Sequence, residues 1–162
     1  MDIAHPHTGN QRSLLFRLTQ AELDQLFDTL EPVKISALNG AFRGRLMGVS
    51  GLNLLPRPLR VALYTVLQSP LNPWRGKYFA NGAGSNLWLA LNGQVRFAHY
   101  VVDSDPQTGT EFLNYNIAQN GQPLRGIRGE ARQLDANTVL ARMNYQTAQR
   151  SVRVLYFTLE NH

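Results

Sequence analysis

The side chains that could bind a metal or act as nucleophiles are few in this chain of 162 residues. His5 and His7 lie close together near the N-terminus, and His162 is the last residue. A metal site built from these histidines would require the two chain ends to meet, so we expect no metal. The absence of cysteine excludes thiolate nucleophiles, thiolate ligands and disulfides. Glycine-rich phosphate loops and a Gly-x-Ser-x-Gly turn are also missing, so we predict no cofactor and assign no catalytic residue.

His99 is the histidine that falls within a regular element of the chain. A histidine there is typically a buried core residue that hydrogen-bonds a neighbour, for which Asn86 is the candidate. Inside an apolar cavity it would instead contact a bound ligand. A third interpretation is proton transfer together with Tyr115 or Tyr145, which would make the protein a small isomerase or hydrolase.

Positive charge is concentrated in the middle of the chain, because no acidic residue occurs between Glu31 and Asp103. The basic residues of this stretch are Lys34, Arg43, Arg45, Arg57, Arg60, Arg75, Lys77 and Arg96. They create a positive potential if the fold gathers them on one surface. The candidate partners are then an anionic small ligand, an anionic membrane or nucleic acid. Because the chain has only two lysines, we do not expect nucleic acid.

Two helices are predicted before the strands begin. The first spans 18–31: Thr19 and Glu22 have the spacing of a capping box, and Pro32 ends the helix. Its apolar stripe consists of Leu23, Leu26, Phe27 and Leu30. The second helix, over about 58–68, lies in an apolar segment and is either a core element, a lid over a cavity or a membrane contact.

From Trp74 onward the pattern is that of short strands and tight turns. Asn92-Gly93 is typical of a type I′ hairpin turn, which would pair Trp88 with Phe97 and Asn86 with His99. These four side chains would then share one face. Further strands are predicted near Phe42 and Tyr78 and over 110–117, 127–134, 138–146 and 151–160. Such a series of hairpin-linked strands predicts a closed barrel, which at about eight strands can enclose one small ligand.

Two glycine motifs carry a resemblance to a known family. Gly40-Ala41-Phe42-Arg43-Gly44 is similar to the Gly-x-Trp-x-Gly element of the bacterial GXWXG-domain family, with Phe42 in place of tryptophan. Trp74-Arg75-Gly76-Lys77-Tyr78-Phe79 is similar to the segment that follows it there. The C-terminal half resembles the companion domain of unknown function. The resemblance implies a lipocalin-like or fatty-acid-binding-protein-like barrel without an assigned activity.

The first glycine motif also has a simple physical interpretation. On a strand, Gly40, Phe42 and Gly44 point to one face, so the glycines leave room beside a buried ring. A neighbouring strand, a helix or a ligand can then approach the backbone. On the strand over 138–146, the alternation of apolar residues predicts that Arg142 faces outward.

We therefore predict a mainly β protein: an antiparallel lipocalin-like barrel of about eight to ten strands, with an N-terminal helix and a short lid-like helix. The chain forms one domain, in which 1–17 is flexible and 38–160 forms the barrel. No apolar run approaches the roughly 20 residues that cross a bilayer, and the first residues are too polar for a secretory signal. We expect a soluble cytoplasmic protein.

The predicted function is binding of a small hydrophobic molecule, with or without an anionic group, such as a fatty acid or other lipid, rather than catalysis. The predicted ligand-binding residues are Phe42, Trp74, Trp88, Phe97, His99 and Met143. Arg45 and Lys77 are the predicted anion contacts. Transient membrane contact and a homodimer stay open as alternatives, as does the small enzyme that uses His99.

Overall fold

The computed structural model describes residues 15, 18–49, 56, 58 and 72–161. Within these ranges, eight antiparallel strands form a closed barrel in which each strand pairs with the next and the last pairs with the first. The strands are β1 (Gly40–Val49), β2 (Trp74–Ala80), β3 (Ala83–Ala90), β4 (Gly93–Ser104), β5 (Glu111–Asn114), β6 (Ile127–Asp135), β7 (Thr138–Gln146) and β8 (Ser151–Asn161). The predicted antiparallel barrel is confirmed.

Helix α1 (Gln20–Thr29) packs on the outside of the barrel. Its capping box is formed as predicted: the Glu22 carboxylate accepts from the Thr19 N–H at 2.7 Å, and the Thr19 hydroxyl accepts from the Glu22 N–H at 3.4 Å. The helix is shorter at both ends than the predicted 18–31. Leu23 and Phe27 of its apolar stripe pack against the outward side chains of β7 and β8.

Arginines on β7 and β8 hold the polar side of this helix. Arg142 pairs with Glu130 at 2.9 Å and with Asp28 of α1 at 3.5 Å. Arg153 pairs with Asp24 of α1. Both arginines therefore face out of the barrel, which confirms the prediction for Arg142.

One end of the barrel is covered by the segment 31–38, which leads from α1 into β1. Main-chain hydrogen bonds join it to β6, from the Val33 N–H to the Ala131 carbonyl and from the Gln133 N–H to the Glu31 carbonyl. Val33, Ile35 and Leu38 pack into the core. Behind them the interior is filled with rings, because Phe79 contacts Phe42 at 5.3 Å and Tyr100 at 5.6 Å between centroids. We call this the closed end, and the opposite end of the barrel the open end.

The glycine motif makes room for a neighbouring strand. A Cβ atom added to Gly44 would lie 2.3 Å from the Trp74 indole of β2. On the paired strand, Gly76 has a φ of +135°, and a Cβ there would lie 1.9 Å from the carbonyl oxygen of Phe42. The space predicted beside Gly44 is therefore real, and a tryptophan ring occupies it.

The β3–β4 hairpin forms with a register different from the predicted one. Ala90 pairs with Gly93, so the turn consists of Leu91 and Asn92, and Trp88 pairs with Val95 instead of Phe97. Because the shift is two residues, alternation still places Trp88 and Phe97 on one face. Their rings lie 6.5 Å apart.

Further along the same hairpin, a bulge in β4 shifts the pairing by one residue. Ala98 has a φ of +54°, Asn86 pairs with Phe97, and Ser85 pairs with His99. The predicted pairing of Asn86 with His99 was therefore wrong. A bulge inserts one unpaired residue, and the alternation of apolar and polar residues along β4 does not predict it.

Two predicted segments fall mostly outside the described residues. These are the flexible N-terminus over 1–17, of which Leu15 is described, and the lid-like helix over about 58–68, of which Pro58 is described. Among the described helices, none is long and apolar enough to cross a membrane.

Candidate functional site

A cavity of about 550 Å³ occupies the interior toward the open end. Its volume lies in the range of small-molecule sites, roughly 300 to 1,000 Å³. Every strand except β5 contributes to its wall, as do the β5–β6 connection and Pro58. The larger apolar residues of the lining are Leu46, Trp74, Trp88, Phe97, Leu124, Ile127, Met143, Leu155 and Phe157. Its polar residues are Lys77, Asn86, His99, Tyr115, Gln119 and Asn120.

Most of the predicted site residues lie on this wall. Trp74, Trp88, Phe97, His99 and Met143 all line the cavity, as does the predicted anion contact Lys77. Pro58, from the predicted lid-like helix, also lines it. The structure therefore brings together residues from β2, β3, β4 and β7 that are distant in sequence.

Two predicted site residues do not reach the cavity. Phe42 is buried at the closed end against Phe79, so it fills the barrel instead of lining its empty half. Arg45 points outward and lies 3.9 Å from Glu160 of β8. Both outcomes have simple causes. Arg45 alternates with the inward Gly44, and Phe42 stands at the covered end of its strand.

Lys77 is the polar centre of the cavity floor. Its side chain is almost inaccessible to solvent, with 3% exposure. The Nζ atom donates to Asn86 Oδ1 at 2.8 Å and to Tyr115 Oη at 2.5 Å. It also lies 5.0 Å from the centre of the Tyr100 ring and 5.3 Å from that of Phe157. The amine is thus held by two polar atoms and surrounded by rings.

The electrostatic setting of this amine is unusual. Within the part of the chain that the structure describes, no carboxylate forms an ion pair with Lys77. Burial lowers the pKa of Lys77 from 10.5 to about 7, because loss of solvent disfavours the charged form. Burial also raises the pKa of Tyr115, which keeps its phenol protonated. The floor therefore holds an amine that is partly uncharged at neutral pH.

Asn86 fixes the position of the amine. Its side-chain nitrogen donates to the carbonyl of the bulged Ala98 and to Tyr115 Oη, each at 3.2 Å. Its Oδ1 atom therefore points toward Lys77 and also accepts from the Trp74 indole at 3.2 Å. The bulge thus supplies the acceptor that orients Asn86. Sequence analysis identified Asn86 only as a partner for His99.

His99 is held through its main chain by a residue that the sequence analysis missed. The buried Asn120 side chain accepts from the His99 N–H at 3.1 Å and donates to its carbonyl at 2.6 Å. A second bond at 2.8 Å links Asn120 to the carbonyl of Tyr115. An asparagine in a loop before a glycine is typical of a turn, so nothing in the sequence distinguished Asn120 from an ordinary turn residue. Catalysis by His99 stays a prediction.

The β3–β4 hairpin carries exposed apolar side chains near its tip, and one of them, Phe97, also lines the cavity. Leu91 is fully exposed and Phe97 is 55% exposed. Leu89 and Val95 are each 48% exposed. Isolated exposed apolar residues are ordinary, whereas this hairpin carries four of them near its tip.

Comparison with known proteins gives a structural match. No family model and no curated protein matches the chain. A crystal structure of a protein from Thermomonospora curvata is similar, with a TM-score of 0.63 and 18% identity, over 96% of this chain and 99% of that chain. The two proteins share a fold. At this identity the likeness carries no statement about ligand or activity.

Proposed function

We propose that this protein binds a small hydrophobic molecule with an anionic head group, such as a fatty acid. The observation that carries the proposal is the buried amine of Lys77 at the floor of an apolar cavity. Buried charges in proteins are normally paired, because an unpaired one loses its hydration without compensation. A ligand carboxylate would supply the partner that no described residue offers.

The arrangement of the cavity also suggests the orientation of the ligand. The polar atoms of Lys77, Asn86 and Tyr115 cluster at one place, whereas the walls above them are aromatic and aliphatic. The head group would therefore lie at the floor and the apolar tail would extend toward the open end. Along the wall, the buried Trp88 indole nitrogen has no hydrogen-bond partner among the described residues and offers a second donor.

Displacement of a fluorescent fatty acid tests this proposal. Lys77→Met should weaken binding of an unlabelled fatty acid about tenfold or more, because a hydrogen bond to a charged group contributes about 1.5–3 kcal/mol. The primary alcohol of the same chain length should bind both proteins almost equally. Wild-type affinity for the acid should fall as pH rises above about 7, as the amine loses its proton.

Lys34→Met is the matched control, because it removes an exposed lysine beside the closed end. It should leave the affinity for the acid unchanged. Equal affinities of wild type and Lys77→Met for the fatty acid would contradict the anionic head group. Failure of both the acid and the alcohol to displace the probe would contradict the carrier function itself.

A second candidate function, docking on an anionic membrane, is favoured by the exposed hairpin tip. Of its four exposed apolar side chains, Phe97 also lines the cavity, so a ligand would enter beside this hairpin. The described connections at this end, over 72–73, 91–92, 115–126 and 147–150, contain Arg125 and Arg150 but no acidic residue. Apolar residues beside positive charge suit the surface of an anionic bilayer. Sedimentation with anionic and with zwitterionic vesicles tests this candidate, which predicts binding to the anionic ones.

A further inference from the structure

We propose that Lys77 also forms a Schiff base with apolar aldehydes that enter the cavity. This inference rests on the proposed function to the extent that the cavity must admit an apolar chain. It adds a covalent reaction with a second class of ligand at the same floor. The carboxylate would pair with the charged amine, whereas the aldehyde would react with the uncharged one.

The geometry around the amine is that of a held nucleophile. Asn86 Oδ1 and Tyr115 Oη fix the Nζ atom from two sides, at 2.8 and 2.5 Å. Lys77 is one of the residues that line the cavity, so the proposal places the aldehyde carbon on the cavity side of the amine. Desolvation in an apolar pocket is one of the ways in which proteins activate a lysine for attack on a carbonyl. Its lowered pKa, about 7, is consistent with this, since a lone pair is then available at neutral pH.

The reaction can be written with the groups present. The uncharged Nζ attacks the aldehyde carbon, a C–N bond forms, and the carbonyl oxygen takes up one nitrogen proton to give a carbinolamine. The Tyr115 hydroxyl then donates its proton to that oxygen, which leaves as water. The tyrosinate takes the remaining nitrogen proton, so the products are a neutral imine, one water molecule and the original phenol. No oxidant or reductant is required.

The chain is well suited to a direct test, because it contains two lysines, Lys34 and Lys77. The protein is incubated with decanal and sodium cyanoborohydride, which reduces an imine to a stable secondary amine, and is then mapped by peptide mass spectrometry. The expected result is a mass gain equal to decanal less one oxygen atom on Lys77. The exposed Lys34 reports the background reaction of an ordinary amine. Modification of Lys34 at a rate equal to or above that of Lys77 would overturn the proposal.

Two variants separate a role of Tyr115 from a general loss of structure. Tyr115→Phe should slow adduct formation on Lys77 about tenfold or more, since general acid catalysis contributes at least that much. Tyr145→Phe is the matched control, because it also removes a buried phenol from the barrel interior but makes no hydrogen bond to Lys77. The adduct rate of wild type should rise with pH through about 7 and then level off. Equal rates of adduct formation in Tyr115→Phe and Tyr145→Phe would show that Tyr115 takes no part in the reaction.

The same samples distinguish failure of this inference from failure of the proposed function. Displacement of the fluorescent fatty acid by decanal is measured without the reductant. Displacement without an adduct on Lys77 would refute the Schiff base and leave the carrier function standing. If decanal neither displaces the probe nor forms an adduct on Lys77, the Schiff base is refuted, and the fatty-acid assay decides the carrier function separately.

Discussion

Lys77 is a buried amine at the floor of the cavity, and among the described residues no carboxylate pairs with it. An ammonium has three protons to donate, and Asn86 and Tyr115 accept two of them. The third has no described acceptor. Burial of such a group costs free energy, which proteins avoid unless the group has a use. In the roles proposed above, this loss of stability would be the cost of an amine that pairs with an anion or attacks a carbonyl.

The burial of Lys77 predicts how stability depends on pH. Because the pKa of Lys77 is lowered on folding, the unfolded chain binds more protons between about pH 7 and 10.5, and the contribution of Lys77 to stability rises with pH in that window. Wild type should therefore gain stability relative to Lys77→Met as pH increases from about 7 to 10. Urea unfolding of both proteins at several pH values measures this difference. A constant difference would mean that the amine is not desolvated in the folded state.

The β1–β2 pair shows how an element shapes the site. Gly44 permits the Trp74 indole to lie against the backbone of β1, and the same indole donates to Asn86 at 3.2 Å. The space beside Gly44 on β1 thus helps to position the Trp74 indole, a hydrogen-bond donor on β2. Gly44 therefore affects the cavity wall through Trp74, although no residue of the motif Gly40–Gly44 lines the cavity itself.

At the scale of the strand pair, we predict that filling the space beside Gly44 lowers the free energy of unfolding. Gly44→Ala would place a methyl group 2.3 Å from the Trp74 ring and 2.8 Å from the Cα atom of Gly76, so either the ring or the strand must move. We expect a loss of about 1–3 kcal/mol in the free energy of unfolding, as for other overpacked interiors. Chemical denaturation measures it. Gly121→Ala is the control: its φ is −62° and its Cβ would meet only Pro123 at 3.8 Å, so it should be nearly neutral.

At the scale of the whole molecule, the barrel has two different ends. The closed end is packed with rings and carries acidic side chains, among them Asp103, Glu111 and Asp135. The described connections at the open end contain no acidic residue, and the β5–β6 connection lines the cavity. This polarity would orient the molecule with its cavity toward an anionic surface.

Two single substitutions at opposite ends test this orientation. Leu91→Glu places a negative charge at the exposed hairpin tip, and Ala136→Glu places the same charge in the exposed β6–β7 turn of the closed end. Leu91→Glu should reduce sedimentation with anionic vesicles several-fold, whereas Ala136→Glu should leave it nearly unchanged. Wild-type binding should weaken as salt increases, whereas uptake of an uncharged apolar ligand should not. Equal losses in the two variants would contradict docking through the hairpin.

The sequence by itself determined the elements and their order. The capping box at Thr19, the tight turns and the alternation of apolar residues are local signals, and they predicted α1, most strands and the closed barrel. Alternation also predicted that Trp88 and Phe97 share a face, and it still held after a two-residue shift of register. On β1 the same rule was not applied: it puts Arg45 on the face opposite Gly44, whereas Arg45 was predicted as an anion contact of the site.

Only the tertiary structure decided which half of the barrel is empty. Depth along a strand depends on the stagger of all eight strands and on the segment 31–38 that covers one end, so Phe42 became core while Trp74 became wall. The surroundings of Lys77 likewise depend on Asn86 of β3, on the bulge at Ala98 and on Tyr115, which follows β5. These contacts join residues far apart in the chain. A local pattern records which side of a strand faces inward, but not which side chains meet there.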